Sequence, residues 1–313
     1  MSTRKIAIVF PGQGSQAVGM LKDLSDSYAQ IKETFDEASA VLGRDLWALA
    51  QDGPAEELNK TQNTQPLVLT ASIAVWRVLQ SKLDISPAYF AGHSLGEYTA
   101  LVCAGSLSFV DAVKLVEQRA KFMQQAVPEG EGAIAAVLGL SVDDLIAICD
   151  EAAQGEVVSA VNFNAPGQVV ISGNVAAVGR AIELAKEKGA KRAMQLPMSV
   201  PAHCSLMSPA ADKLAAVMSG VDFNSPSIPV IHNTDVAQHA EIAEIKEALI
   251  QQLHTPVRWI ETVEALAGLG VDTIIECGPG KVLAGLNKRI DKSLELYSSG
   301  DERSLNKTIE ALS

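Results

Sequence analysis

The sequence predicts an α/β protein with two lobes, and two observations carry this prediction. A short apolar run at residues 88–92 leads through Gly92-His-Ser-Leu-Gly96 directly into a helix-compatible segment, which is the strand–turn–helix order of an α/β sheet. Residues 133–196 follow the order β-α-β-β-α-β, the split pattern of a ferredoxin-like lobe. Because this second unit lies inside the chain, we predict a discontinuous core at residues 1–127 and 198–313 and a small lobe at 128–197.

The first part of the chain alternates apolar runs with segments of helical spacing. Pro66 is expected in the first turn of its helix, and the linker at residues 128–132 ends the last helix of this part. The predicted elements are a buried strand at 5–10, a loop at 11–16, helices at 27–42 and 66–83, the strand and helix around Ser94, and a helix at 108–127.

The second part continues in shorter elements, with Ser141 as the predicted N-cap of a helix. For the small lobe we predict strands at 133–140, 157–163, 168–172 and 191–196, helices at 141–153 and 174–188, and a turn at 164–167. The core then resumes with strands at 228–232 and 271–277, and the polar tail after Tyr297 is expected to form a surface helix.

Composition narrows the class of protein. The chain has 313 residues, of which 48% are hydrophobic and 20% charged, as in a soluble globular protein. A net charge of −12 argues against nucleic-acid binding, and no apolar run is long enough for a membrane span or a signal sequence. The four cysteines form no C-x-x-C pair, which is typical of reduced thiols in a cytoplasmic enzyme.

Ser94 is the strongest catalytic candidate. It would lie at the tip of a sharp turn, with Gly92 and Gly96 leaving room where side chains would crowd the strand and helix. The N–H of Leu95 would then point at a developing oxyanion. The alternative is a tight turn with a purely structural role.

Arg119 is the second clue. On a helical wheel of residues 108–127 it falls near the middle of the apolar half. A buried arginine needs an anionic partner, so we expect a guanidinium that binds a substrate carboxylate as a fork. An internal salt bridge or a snorkelling side chain is the alternative.

Three histidines are candidates for the catalytic base. His203 lies in a loop after a predicted strand, and His232 and His254 remain alternatives. Many Asp and Glu residues could orient the base, so none can be chosen. No clustered ligand set suggests a metal.

The loop Gly12-Gln-Gly-Ser-Gln-Ala17 also matches the dinucleotide fingerprint G-x-G-x-x-A. That interpretation needs a second strand ending in Asp or Glu about 20 residues later. Residues 33–40 are predicted to be helical instead, so this loop is better interpreted as the source of a second oxyanion donor.

Six motifs together resemble the malonyl-CoA:acyl carrier protein transacylases of fatty-acid synthesis, and they span nearly the whole chain in the family's order. They are Phe10-Pro-Gly-Gln-Gly-Ser-Gln16, Gly92-His-Ser-Leu-Gly-Glu-Tyr98, Gln118-Arg-Ala-Lys-Phe-Met123, Val161-Asn-Phe-Asn-Ala-Pro-Gly-Gln168, Ser199-Val-Pro-Ala-His203 and Glu276-Cys-Gly-Pro-Gly280. The resemblance implies an α/β-hydrolase-like core with an inserted ferredoxin-like lobe.

The resemblance also implies a role for each matching residue. Ser94 would be the nucleophile, His203 its base, and the backbone carbonyl of Gln252 would orient the imidazole. The N–H groups of Gln13 and Leu95 would form the oxyanion hole, and Arg119 would bind the malonyl carboxylate. Further substrate-binding residues would be His93, Met123 and Gln65, with Asn162, Asn164, Gln168 and Arg192 facing the coenzyme A or carrier arm.

The implied reaction is a ping-pong transfer of malonyl from coenzyme A to the phosphopantetheine thiol of holo-acyl carrier protein. It implies no metal, nucleotide or prosthetic group, and we expect a cytoplasmic monomer with no nucleic-acid or membrane partner. The remaining alternatives are a serine thioesterase or esterase and, less favoured, a dinucleotide-dependent enzyme.

Overall fold

The computed structural model describes residues 4–198 and 200–313, which form nine strands in two separate sheets together with fourteen α-helices. Ser199, the first residue of one motif above, lies outside the described residues. The strands are β1 (Ile6–Phe10), β2 (Tyr89–Gly92), β3 (Gly132–Leu138), β4 (Val158–Ala165), β5 (Gln168–Asn174), β6 (Arg192–Gln195), β7 (Val230–Ile231), β8 (Thr273–Glu276) and β9 (Glu295–Ser298). The helices are α1 (Lys22–Ser27), α2 (Ala29–Leu42), α3 (Leu46–Asp52), α4 (Ala55–Leu58), α5 (Thr61–Lys82), α6 (Gly96–Cys103), α7 (Phe109–Ala126), α8 (Val142–Ala153), α9 (Val175–Glu187), α10 (Ser208–Met218), α11 (Ile242–Gln251), α12 (Trp259–Gly268), α13 (Val282–Ile290) and α14 (Glu302–Leu312).

The larger sheet is parallel, in the order β7-β2-β1-β8-β9. Its central strand β1 is apolar and buried along its whole length, as expected for a strand covered on both faces. Phe10 pairs with Gly92 and Val9 with Glu276, so three strands end at one edge. The loops that follow β1, β2 and β8 therefore meet there, where α/β sheets bind their ligands.

The smaller sheet is antiparallel, in the order β4-β5-β3-β6, and packs with α8 and α9 around its own apolar cluster. Strand β4 also joins the larger part, because Phe163 N–H donates to Val257 O at 3.0 Å and Val257 N–H donates to Val161 O at 2.8 Å. This bridge brings Asn162, the β4 residue between Val161 and Phe163, to the edge where the parallel strands end.

Several predicted bounds are wrong. The helix predicted at 66–83 begins at Thr61, so Pro66 lies in its second turn. Proline cannot donate to the carbonyl four residues earlier, and that Gln62 oxygen accepts from Arg44 at 3.4 Å. The helix predicted at 27–42 is interrupted at Tyr28, whose backbone is extended.

The other elements follow the prediction more closely. The Ser141 side chain accepts from the Asp144 N–H at 3.1 Å, which confirms the predicted cap. The turn predicted at 164–167 is shorter because β4 continues to Ala165. The tail forms the expected helix, α14, preceded by an edge strand, β9, that was not predicted. Among the residues described, no helix combines the length and apolarity needed to cross a membrane.

Candidate active site

Ser94 lies in the sharp turn between β2 and α6, at a left-handed φ of 51°. The strand and helix approach so closely that a Cβ on Gly92 would lie 1.9 Å from the Gly96 carbonyl carbon. A Cβ on Gly96 would lie 2.1 Å from the Phe10 oxygen. Both glycines are therefore required by space, which confirms the strand–turn–helix prediction around Ser94.

Asn233 holds this strained turn from the loop that follows the neighbouring strand β7. Its Oδ1 accepts from the Ser94 N–H at 2.7 Å, and its Nδ2 donates to Gly92 O at 2.7 Å. A positive φ at a non-glycine residue persists when surrounding contacts enforce it, and these two bonds supply such contacts. Sequence reasoning missed Asn233, although its position directly after the strand predicted at 228–232 was an available signal.

His203 lies beside the serine hydroxyl. The distance from Ser94 Oγ to His203 Nε2 is 2.8 Å, and His203 Nδ1 lies 2.7 Å from the backbone oxygen of Gln252. A carbonyl only accepts, so Nδ1 carries the proton and the Nε2 lone pair faces Ser94. Burial, reinforced by the charge of Arg119, lowers the pKa of His203 to about 3 and keeps the imidazole neutral.

The other candidate histidines are placed elsewhere. His232 is fully buried and its Nδ1 contacts the carboxylate of Glu97 at 2.6 Å. His254 belongs to the loop after α11 and does not line the cavity around Ser94. The structure therefore brings His203, and neither alternative, to the nucleophile candidate.

Arg119 is only 1% exposed, yet its guanidinium contacts neutral oxygens alone among the residues described. It donates to Gln65 Oε1 at 2.7 Å, to Gln252 Oε1 at 3.0 Å and to Ser94 Oγ at 3.2 Å, and it lies over the Tyr98 ring. Burial lowers the pKa of Arg119, but arginine remains a cation in proteins. The described part of the chain thus shows a buried cation without an internal salt bridge.

These groups face a cavity of about 240 Å³ between the two sheets. His93 crosses this cleft, with its Nε2 2.8 Å from Asn164 Oδ1 of β4. Burial lowers the pKa of His93, so the neutral ring donates that bond. The cavity is lined by ten of the predicted site residues: Gln13, Gln65, His93, Ser94, Leu95, Arg119, Met123, Asn162, Asn164 and His203.

Three predicted site residues do not line the cavity. Gln252 lies behind His203, where its carbonyl meets the imidazole. Gln168 accepts a hydrogen bond from Arg289, and Arg192 is exposed at the start of β6. The structure does not bring the last two side chains to the cavity wall.

The glycine-rich loop after β1 belongs to this cavity too. Gln13 lines it, and its Oε1 accepts from Thr61 Oγ at 2.7 Å. Residues 33–40 lie within α2, as predicted, so the acidic strand end of a dinucleotide site is missing at that position.

The profile of the acyl transferase domain family matches residues 7–298 of this chain. The chain belongs to that family. It is 56% identical to the malonyl CoA-acyl carrier protein transacylase of Escherichia coli strain K12, over 98% of this chain and 99% of the relative.

Two solved structures extend this similarity to the fold. The malonyl CoA-acyl carrier protein transacylase of Coxiella burnetii superposes with a TM-score of 0.97 at 49% identity, over 99% of this chain and 98% of the other. A complex of a type II polyketide synthase acyl-carrier protein with its malonyl-transacylase matches with a TM-score of 0.97 at 53% identity, covering 98% and 99% of the two chains. The chain is thus a member of the malonyl CoA-acyl carrier protein transacylase group.

Proposed function

We propose that this enzyme transfers malonyl from coenzyme A to the phosphopantetheine thiol of acyl carrier protein. One observation carries the proposal. The serine–histidine pair and a buried guanidinium that lacks an anionic partner among the described residues share one cavity, with Arg119 3.2 Å from Ser94 Oγ. An acyl group that ends in a carboxylate supplies the missing anion while its thioester carbon reaches the serine.

The first half-reaction follows from the hydrogen-bond directions. Ser94 Oγ attacks the thioester carbon as its proton passes to His203 Nε2, and the Nδ1–H bond to Gln252 O stabilises the imidazolium. We assign the oxyanion to the N–H groups of Gln13 and Leu95, two residues that line the cavity together with Ser94. The C–S bond then breaks, and the coenzyme A sulfur takes the proton from His203.

The second half-reaction reverses these steps with a different thiol. The carrier thiol gives its proton to His203, its sulfur attacks the malonyl-serine ester, and Ser94 Oγ regains the proton as it leaves. Exchange of an acyl group between sulfur and oxygen involves no redox step, so we propose that no metal or prosthetic group takes part.

Other residues are proposed to shape the substrate site. Gln65 fixes the Arg119 fork from one side, and Met123 packs against Gln65 with 3.5 Å between Nε2 and Sδ. His93, Asn162 and Asn164 are proposed to contact the pantetheine arm where the two sheets meet. Gln168 and Arg192 are proposed to act farther out, on the carrier protein, because they do not line the cavity.

We also propose the finer fold description. Counted within the small unit, the strand order β4-β5-β3-β6 is 2-3-1-4, which supports a ferredoxin-like lobe at residues 128–197. The turn at Ser94 on a parallel sheet supports an α/β-hydrolase-like core. All reacting groups come from one chain and its four cysteines are free thiols, which supports a cytoplasmic monomer.

Mass spectrometry of the intact protein tests the function. After incubation with malonyl-CoA, we expect one malonyl adduct, located on Ser94, that disappears when holo-acyl carrier protein is added. Loss of the adduct to water at the same rate with and without carrier would indicate a thioesterase. Failure to form the adduct would refute the proposal.

A further inference from the structure

Glu97 is a fully buried carboxylate one turn beyond the nucleophile, on the first turn of α6. Its Oε1 lies 2.6 Å from His232 Nδ1, and its Oε2 accepts from the Asn233 N–H at 3.0 Å and from Gln252 Nε2 at 2.9 Å. The amide and backbone partners can only donate, so Oε2 acts as an acceptor. Oε1 is an acceptor as well when His232 donates from Nδ1.

His232 does not neutralise this charge. Its Nε2 is buried and has no hydrogen-bond partner among the residues described. A protonated ring would leave that N–H unsatisfied, which is costly, whereas a neutral ring donates from Nδ1 and leaves only a lone pair. A neutral His232 therefore donates one hydrogen bond to Glu97 and carries no positive charge to pair with it.

Gln252 connects this charge to the site. Its Nε2 donates to Glu97 Oε2 at 2.9 Å and to Ser94 O at 3.0 Å, while its Oε1 accepts from Arg119 at 3.0 Å. The amide dipole therefore runs between the buried anion and the buried cation. Rotating the amide by 180° would turn its oxygen to the carboxylate and its NH₂ to the guanidinium, and both contacts would be repulsive.

The same residue orients the base. The Gln252 backbone oxygen accepts from His203 Nδ1 at 2.7 Å, so its side chain and its carbonyl serve two different groups of the site. The hydrogen bonds of its amide oxygen and amide nitrogen fix the Gln252 side chain, and this restrains the backbone that carries the carbonyl. Catalytic groups need such support, because small misplacements cost activity.

We infer that Glu97 is a positioning residue for the transferase reaction, acting through Gln252 on both His203 and Arg119. This inference rests on the proposed function for its effect on malonyl transfer, but its effect on the serine–histidine pair stands on geometry alone. In a Ser-His-Asp triad the aspartate contacts the imidazole directly and orients it. Here Gln252 lies between Glu97 and His203, so the carboxylate would orient the imidazole indirectly.

The test compares Glu97→Gln, Gln252→Met and the double variant. Methionine keeps the Gln252 carbonyl and nearly the same volume but removes the amide link. Two rates are measured for each folded protein: reaction of Ser94 with a neutral sulfonyl fluoride, and kcat/KM for malonyl-CoA. Glu117→Gln is the matched control, because Glu117 is a buried carboxylate of α7 whose partners are Arg44 and Lys121.

We expect each single variant to lower both rates by about ten- to a hundredfold, because misplacing a reacting group by about 1 Å costs on the order of a hundredfold in rate. The double variant should be no worse than the slower single variant, because both changes break one link. Glu117→Gln should leave both rates within about twofold of those of the unaltered enzyme, because this change leaves the site in place.

Multiplicative losses in the double variant, or unchanged rates in folded Glu97→Gln, would overturn the inference. If Glu97→Gln does not fold, Gln252→Met decides alone, since unchanged rates there remove the link. Absence of a malonyl adduct on the unaltered protein would instead refute the proposed function, and the sulfonylation rates would still judge the positioning role.

Discussion

Replacing Arg119 by alanine is expected to abolish the preference for malonyl over acetyl. The guanidinium is 1% exposed and contacts neutral oxygens of Gln65, Gln252 and Ser94. Under the proposed function a malonyl carboxylate would pair with it, whereas an acetyl group would leave it buried and unpaired. Loss of one partner from a buried pair costs about 3–5 kcal/mol, which corresponds to roughly two to four decades in kcat/KM.

The assay is kcat/KM for malonyl-CoA and acetyl-CoA with the unaltered enzyme, Arg119→Ala and Arg119→Lys. The Arg119→Ala variant should lose most malonyl transfer while keeping or gaining acetyl transfer. Lysine should recover little, because a point charge does not reproduce the fork that contacts Gln65 and Gln252. Arg77→Ala is the control, since that arginine pairs with Glu37 away from the cavity and should leave the ratio unchanged.

Equal losses for both substrates in Arg119→Ala, with an unchanged melting temperature, would refute the reasoning. Arg119 would then support Ser94 and Gln252 without selecting the acyl group.

The remaining predictions concern the base and the pH dependence of the fold. His203→Ala should lower Ser94 malonylation by several decades, whereas His254→Ala should leave it near that of the unaltered enzyme; the opposite result would reassign the base. Because the pKa of His203 is lowered to about 3, its neutral form persists in acid, so kcat/KM should hold its plateau well below pH 6.5. Arg119→Ala removes one cause of the lowered pKa and should move the acid limb upward; identical profiles would contradict this. Burial raises the pKa of Glu276 to about 7, so the native state binds more protons than the unfolded chain between about pH 4.5 and 7, and the free energy of unfolding should fall as pH rises through that window. Urea unfolding of Glu276→Gln should lack this fall, and parallel curves for the two proteins would refute it.

Periodicity and turn chemistry were sufficient to predict the elements that carry the reacting groups. Arg119 was placed on the apolar face of its helix by a 3.6-residue period alone, and the structure buries it there. The turn at Ser94 follows from two glycines whose added Cβ atoms would meet backbone. Helical periodicity and the glycines of a turn depend only on residues that are near each other in the chain, so both can be recognised in a single sequence.

The partners of these residues were not predictable in the same way. The acceptor for His203 is a backbone carbonyl, a group that every residue carries, so no residue type distinguishes Gln252. Asn233 and Glu97 lie 136 positions apart and meet only because β7 and β2 are adjacent. Strand β9 was missed because it lies at the sheet edge, where one of its residues is exposed and three are half-buried, so that it lacks the alternation of a strand with one buried face.

The separation between Glu97 and His203 has an electrostatic consequence for this substrate. A carboxylate in direct contact with the imidazole would lie close to the malonyl carboxylate. Two like charges about 6 Å apart repel by about 3 kcal/mol at an effective dielectric constant of 20. A neutral carbonyl at 2.7 Å orients His203 without that repulsion. The Glu97 carboxylate instead contacts the amide of Gln252, whose oxygen accepts from Arg119. A serine–histidine site that must accept an anionic acyl group therefore favours a carboxylate held one side chain away from its base.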